Sequence, residues 1–105
     1  MIWGDKKLKS LVETGMILDT YDGAINPASI NLRLGHTFLK PKPGQAIRLG
    51  EEMKYHRYEL KDGQFISIKP GRFMLATTIE CIVVPIHAAA FVQGRSSIGR
   101  AGLTV

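Results

Sequence analysis

The stretch Phe73-Met74-Leu75-Ala76-Thr77-Thr78-Ile79-Glu80-Cys81-Ile82-Val83-Val84 carries the longest strand signal in the chain. Phe73, Leu75, Thr77, Ile79, Cys81 and Val83 fall at every second position, so an extended backbone puts them on one face. That face is expected to be core, with Cys81 an inert part of it. Pro85 closes the strand because it has no N–H to offer a ladder. Working outward, Gln64 to Lys69 reads as a strand that stops at Pro70-Gly71. A turn around Pro85 to His87 leads into Ala88–Gln93, expected to be a short buried strand. Upstream, Ala28-Ser29-Ile30-Asn31-Leu32-Arg33-Leu34 alternates apolar with polar residues, as a half-buried strand does. Gly35 and a short apolar piece around Phe38 follow, then Lys40-Pro41-Lys42-Pro43-Gly44 as an exposed turn. Glu51 to Asp62 reads equally well as loop or irregular strand. Before all of these, Asp5 is placed to cap a helix whose Leu8, Leu11 and Val12 share a face, with Gly15 ending it. Several short strands separated by turns, with one small helix leading in, predict an all-β barrel or sandwich.

Composition sets the outer bounds. A chain of 105 residues and 11.6 kDa is one domain, 1–105, and 45% hydrophobic with 22% charged residues excludes a disordered one. No apolar run reaches the ~20 residues of a bilayer span, so no membrane partner is expected. The N-terminus lacks the basic-then-apolar order of a signal peptide. One cysteine, Cys81, excludes an internal disulfide and suits the cytoplasm. Net charge is +5, which favours an anionic partner without choosing one. Its distribution is more informative. Every carboxylate lies at or before Glu80, and Arg95 and Arg100 are the only charged side chains after it. The last quarter of the chain can hold an anion but supplies no general base.

Within that quarter, Gly94-Arg95-Ser96-Ser97-Ile98-Gly99-Arg100-Ala101-Gly102 concentrates three glycines, two hydroxyls and two guanidiniums in nine residues. Serines opening a short helical turn offer hydroxyls and free backbone N–H groups together, which suits an anion. If Ser96 opens such a turn, Arg100 projects from the same face four residues on. Arginine matches phosphate oxygens bidentately and keeps its charge. The stretch is neither a Walker loop nor a dinucleotide-binding Gly-x-Gly-x-x-Gly. Its residues alone leave two readings open, a phosphate cradle and a solvated surface turn.

Gly94 to Gly102 with the following Leu103 resembles the Gly-Arg-Ser-Ser motif of the dCTP deaminase and dUTPase superfamily, and its second arginine the dCTP deaminase branch. Asn26 to Gly35 resembles that branch's first strand. Pro70 to Glu80 resembles the strand leading to its nucleotide site, and Pro85 fits as well. The three blocks agree in order and separation across essentially the whole chain. The resemblance implies a distorted dUTPase-like β-barrel with a short N-terminal helix, assembled as a homotrimer with nucleotide sites shared between subunits. It implies that Arg95, Ser96, Ser97, Ile98, Gly99 and Arg100 hold the triphosphate of dCTP or dUTP, which arrives with Mg²⁺. It implies catalytic roles for Ser96 and Arg100, which align the reacting end of the base and the attacking water. The reaction converts dCTP to dUTP without zinc, and in a bifunctional subgroup continues to dUMP.

Two departures stand out. Asn31 occupies a position where the branch usually has an acidic residue. The family's water-activating carboxylate and its base-holding hairpin belong to strands beyond the point matched by Val105. The domain is therefore expected to be incomplete at its C-terminus and inactive alone. A dUTPase, or a non-catalytic nucleotide-binding or oligomerising module, remain the alternatives. A zinc deaminase is excluded, since it requires His-x-Glu and Pro-Cys-x-x-Cys. Here Ala88-Ala89 follow His87, and Cys81 is the only cysteine. His36, His56 and His87 show no metal-ligand spacing and are read as ordinary polar residues. Glu80 is read as a solvated or ion-paired strand residue, with Arg72 or another cross-strand cation as partner. Trp3 is read as anchoring the helix, and Lys6, Lys7 and Lys9 as a solvated helix face, not a nucleic-acid patch.

Overall fold

The computed structural model describes residues 1–105, with elements in the order α1 (Asp5–Glu13), β1 (Ile17–Leu18), β2 (Leu34–Pro41), β3 (Tyr55–Glu59), β4 (Leu75–Thr78), β5 (Cys81–Ile82) and α2 (Ser96–Arg100). Only 9 and 5 residues are helical, so strands and extended segments make the scaffold. Two antiparallel units form: β1 pairs with β5, and β2 lies between β3 and β4. The sheets do not close into a barrel. Phe38, in the middle of β2, is 6% exposed, and with Ile17 and Ala24 it makes up the buried apolar set.

Asp5 is not the helix cap. The cap position is Gly4, and the Asp5 carboxylate instead accepts from the neighbouring Lys6 N–H at 2.9 Å. An acidic first residue still favours the helix dipole. The C-terminal reading holds: Gly15 has φ 78°, its N–H donates to Val12 O, and Met16 N–H donates to Leu11 O. This paired closure satisfies carbonyls that a helix end otherwise leaves open.

The long strand of residues 73–84 is broken. Ladder pairing covers Leu75–Thr78 and resumes at Cys81, with a bend at Ile79–Glu80. The first part belongs to the β2 sheet and the second pairs with β1, so one apolar run serves two sheets. The face expected to be core is instead exposed: Phe73, Leu75, Thr77, Ile79, Cys81 and Val83 all lie open to solvent, because no second layer covers this part of the sheets. Ala28 to Arg33 also falls outside the ladders. Asn26 N–H donates to Ser29 O at 2.8 Å, which makes a turn where strand was expected. Beyond it Ile30 bridges to Ile25 and Asn31 N–H donates to Ala24 O, after which Arg33 N–H donates to the Glu80 carboxylate and Arg33 O accepts from Ile79 N–H. At Arg33 N–H a side chain has taken the place of a strand partner.

Between Leu34 and Phe38 the β2–β4 register shifts. Gly35 sits in this irregularity, where a Cβ would lie 3.1 Å from Thr77 O. The absent side chain is what lets β4 approach there. The ambiguous Glu51–Asp62 segment resolves into β3 at its centre. Lys40 and Pro41, expected in a turn, continue β2 opposite His56 and Tyr55. Pro41 is tolerated because the pairing with β4 ends at Leu39, leaving Pro41 at an edge flanked by β3 alone.

Gln64 to Lys69 and Ala88 to Gln93 form no ladders. Ser67 O accepts instead from Lys40 Nζ, and Phe65 and Phe91 are 95% and 92% exposed. Both segments are therefore corrections to the expected strands, and the second is not buried. Alternation specifies two faces but cannot supply the partner that covers one of them. The total surface, 8947 Å², exceeds the roughly 5,800 Å² of a compact chain of this mass. Burial is accordingly about half of the unfolded surface, against roughly two-thirds for a compact chain of this length. The radius of gyration of 16.5 Å, against about 13 Å for a compact chain, describes the same open arrangement.

Candidate functional site

The Gly94–Gly102 segment folds as a short helical turn. Arg95 sits at the cap position with extended backbone (φ −70°, ψ 147°), and the helix begins at Ser96. Arg95 O accepts from both Ile98 N–H (3.0 Å) and Gly99 N–H (2.9 Å). The amides of Ser96 and Ser97 have no main-chain acceptor, as expected of the first residues of a helix. At the other end Gly102 adopts φ 90°, its N–H donates to Gly99 O, and Leu103 N–H donates to Ile98 O. This is the closure that also ends α1, and it needs the left-handed residue that glycine supplies. Gly94 faces the returning tail, since a Cβ there would lie 3.3 Å from Val105 Cγ2.

The segment thus brings Arg95, Ser96, Ser97, Ile98, Gly99 and Arg100 together on one exposed turn. Arg100 lies on the face of Ser96, its Nε 3.5 Å from Ser96 O. Neither guanidinium forms an ion pair, because each ion pair of the molecule lies upstream of the turn. The hydroxyls of Ser96 and Ser97 are free of intramolecular hydrogen bonds. Two amides, two hydroxyls and two fixed positive charges therefore remain unspent within one turn. Such a set can bind a polyanion. It holds no group able to take a proton at neutral pH.

Glu80, the last carboxylate before this turn, is committed elsewhere. Its side chain is fully buried and its two oxygens accept from Arg33 N–H (2.9 Å) and Arg33 Nε (2.8 Å). Arg33 in turn donates to Asp19 O at 2.6 Å and lies 4.8 Å above the Tyr21 ring. Asp19 is the one non-glycine residue in the left-handed region, with φ 62°. Burial pushes the Glu80 carboxyl up, but the side-chain and backbone hydrogen bonds from Arg33 and its charge outweigh this. The carboxyl is held below the usual range. The partner is thus Arg33 and not Arg72. The available signal was Arg33 itself, the sole cation in the alternating stretch Ala28–Leu34. The three histidines lie apart, and no three His, Cys, Asp or Glu side chains gather in a group. No helix is long and apolar enough to cross a membrane.

Fold and turn together define a strand-built protein that presents an unneutralised cationic loop to solvent. More particularly, the chain belongs to the dCTP deaminase-like family, whose model matches residues 2–105. It is similar to the protein of Methanothermobacter thermautotrophicus named "dCTP deaminase, dUMP-forming", 38% identical over 118 residues that cover 99% of this chain and 57% of the relative. The identically named proteins of Sulfurihydrogenibium sp. and Persephonella marina are 39% and 36% identical, each covering 100% of this chain and 61% of the relative. The chain thus spans 57–61% of the length of these curated relatives. No solved structure matches it.

Proposed function

We propose that these residues form the triphosphate-binding part of a dCTP deaminase that carries its product on to dUMP. The observation that carries this reading is the Ser96–Arg100 turn, with its free amides and hydroxyls and its two unpaired guanidiniums, in a chain of this family. Arg95, Ser96, Ser97, Ile98, Gly99 and Arg100 enclose the phosphates, and Mg²⁺ accompanies them. Ser96 and Arg100 orient the amino-bearing end of the base and the attacking water. In the first step water adds at the carbon bearing the amino group, ammonia leaves and dUTP remains. In the second, water cleaves dUTP to dUMP and pyrophosphate. The relatives' shared "dUMP-forming" name supports the second step.

General-base chemistry needs a positioned proton acceptor. The turn holds no proton acceptor and Glu80, the carboxylate preceding it, is locked to Arg33, so the acceptor is supplied from elsewhere in the whole protein or by a neighbouring subunit. The same elements complete the dUTPase-like barrel around Phe65 and Phe91, in a homotrimer with shared sites. Exposed Cys81 suits a reducing cytoplasm. Residues 1–105 by themselves do not turn over dCTP.

The test is chromatographic. The whole protein, incubated with dCTP and Mg²⁺, is expected to yield dUMP, pyrophosphate and ammonia. Hydrolysis of dUTP with dCTP left intact would replace this reading with a dUTPase. Binding of either nucleotide without turnover would make the chain a non-catalytic module.

A further inference from the structure

Away from the cationic turn, a cavity of 360 Å³ opens where the start of α1 meets the Pro85–Ala88 turn, lined by Met1, Ile2, Trp3, Gly4, Lys7 and His87. It is an open depression, with Met1 and Ile2 112% and 82% exposed, so a ligand lies against its wall and is not enclosed by it. Trp3 and His87 are in ring contact there, with centroids 5.9 Å apart and planes splayed by 50°. Lys7 Nζ sits 5.2 Å from the centre of the Trp3 ring. The wall therefore combines an indole, an imidazole, an ammonium and two aliphatic side chains. No carboxylate lines it. Asp5, next along the helix, already accepts from Lys6 N–H.

We propose that this cleft binds a small aromatic anion, its ring against Trp3 and its charge beside Lys7 and His87. Ring stacking and the apolar Met1 and Ile2 select a flat ligand. The ammonium, already held over the indole, and the imidazole N–H select negative charge. The anionic group can be a carboxylate or a phosphate, since Lys7 acts as a point charge and imposes no planar geometry. This inference does not depend on the nucleotide reading of the Ser96–Arg100 turn, which lies on other residues.

The test is Trp3 fluorescence, on the whole protein, titrated with phenyl phosphate, benzoate, benzylamine and inorganic phosphate. Trp3→Phe locates the signal at this cleft. Phenyl phosphate and benzoate are expected to change the emission saturably, whereas benzylamine and inorganic phosphate leave it unchanged. Lys7→Gln, on an exposed helix position, is expected to raise the half-saturating concentration about three- to fivefold, the range of an exposed charge pair. His87→Asn is expected to weaken both anions in the same direction. Arg95→Ala should leave the response intact. An equal response to benzylamine, or unchanged affinity in Lys7→Gln, would overturn the proposal. So would a phenyl phosphate response that is lost in Arg95→Ala and kept in Lys7→Gln, which would assign it to the cationic turn.

Discussion

Replacing Glu80 with alanine should be the most damaging single polar substitution in residues 1–105. The Glu80 side chain is 0% exposed and that of Arg33 42%, so the pair is buried at one end and wet at the other. Removing one member of a fully buried pair costs about 3–5 kcal/mol, and of an exposed pair under about 1 kcal/mol. The half-wet geometry places Glu80→Ala between these, at about 2–3 kcal/mol. The loss has two parts: the charge-assisted bond to Arg33 Nε, and an Arg33 N–H left without an acceptor in the fold. For a chain of this size the corresponding fall in Tm is about 10–20 °C. Urea unfolding of wild type, Glu80→Ala, Arg33→Ala and the double variant measures the coupling directly. A coupling above about 1 kcal/mol is expected for groups in such contact. A loss below about 0.5 kcal/mol for Glu80→Ala, or strictly additive single losses, would refute the view that this pair holds the bend to the N-terminal half.

Because the folded-state Glu80 carboxyl is held below its ordinary value of 4.5, the pair stabilises the protein fully above that pH and progressively less as pH falls through the folded-state value. Glu80→Gln should therefore flatten the acid limb of a Tm-against-pH curve, and an unchanged limb would contradict the assignment. Arg95→Ala should weaken dCTP binding about tenfold or more, the worth of a charge-assisted contact to phosphate, as read by calorimetry on the whole protein. Arg100→Ala should abolish dCTP deamination in an ammonia-release assay; retained turnover would remove its catalytic role. Gly35→Val should destabilise the β2–β4 junction by about 1–3 kcal/mol, since its Cβ would meet Thr77 O at 3.1 Å. A neutral effect in urea unfolding would show that β4 moves aside freely.

Several readings that rested on contacts within about five residues survived folding, although Asp5 did not cap its helix and Lys40-Pro41 extended β2. The Gly15 helix end, the Pro70-Gly71 turn, the Pro85–Ala88 turn and the placement of Arg100 on the face of Ser96 are all local geometry. In each, the backbone closes its own hydrogen bonds: Ala88 N–H donates to Pro85 O and Arg72 N–H to Lys69 O. Readings that required a distant partner fared differently. Residues 73–84 were divided between two sheets and the face read as core is exposed, while in the Ala28–Arg33 stretch Ile30 meets only Ile25 and Arg33 N–H turns to the Glu80 carboxylate. Phe91 was legible as apolar, but its 92% exposure depends on what lies opposite it.

By itself, then, the sequence determined the strand-rich character, the cationic turn and the lack of any Asp or Glu between Glu80 and Val105. All of these follow from residue type and short-range backbone geometry. Only the tertiary structure decided which cation meets Glu80, where the long apolar run bends, and that Trp3 packs on His87. The physical reason is separation along the chain. Arg33 and Glu80 are 47 residues apart, and no periodicity in either neighbourhood encodes a meeting that only the folded backbone brings about.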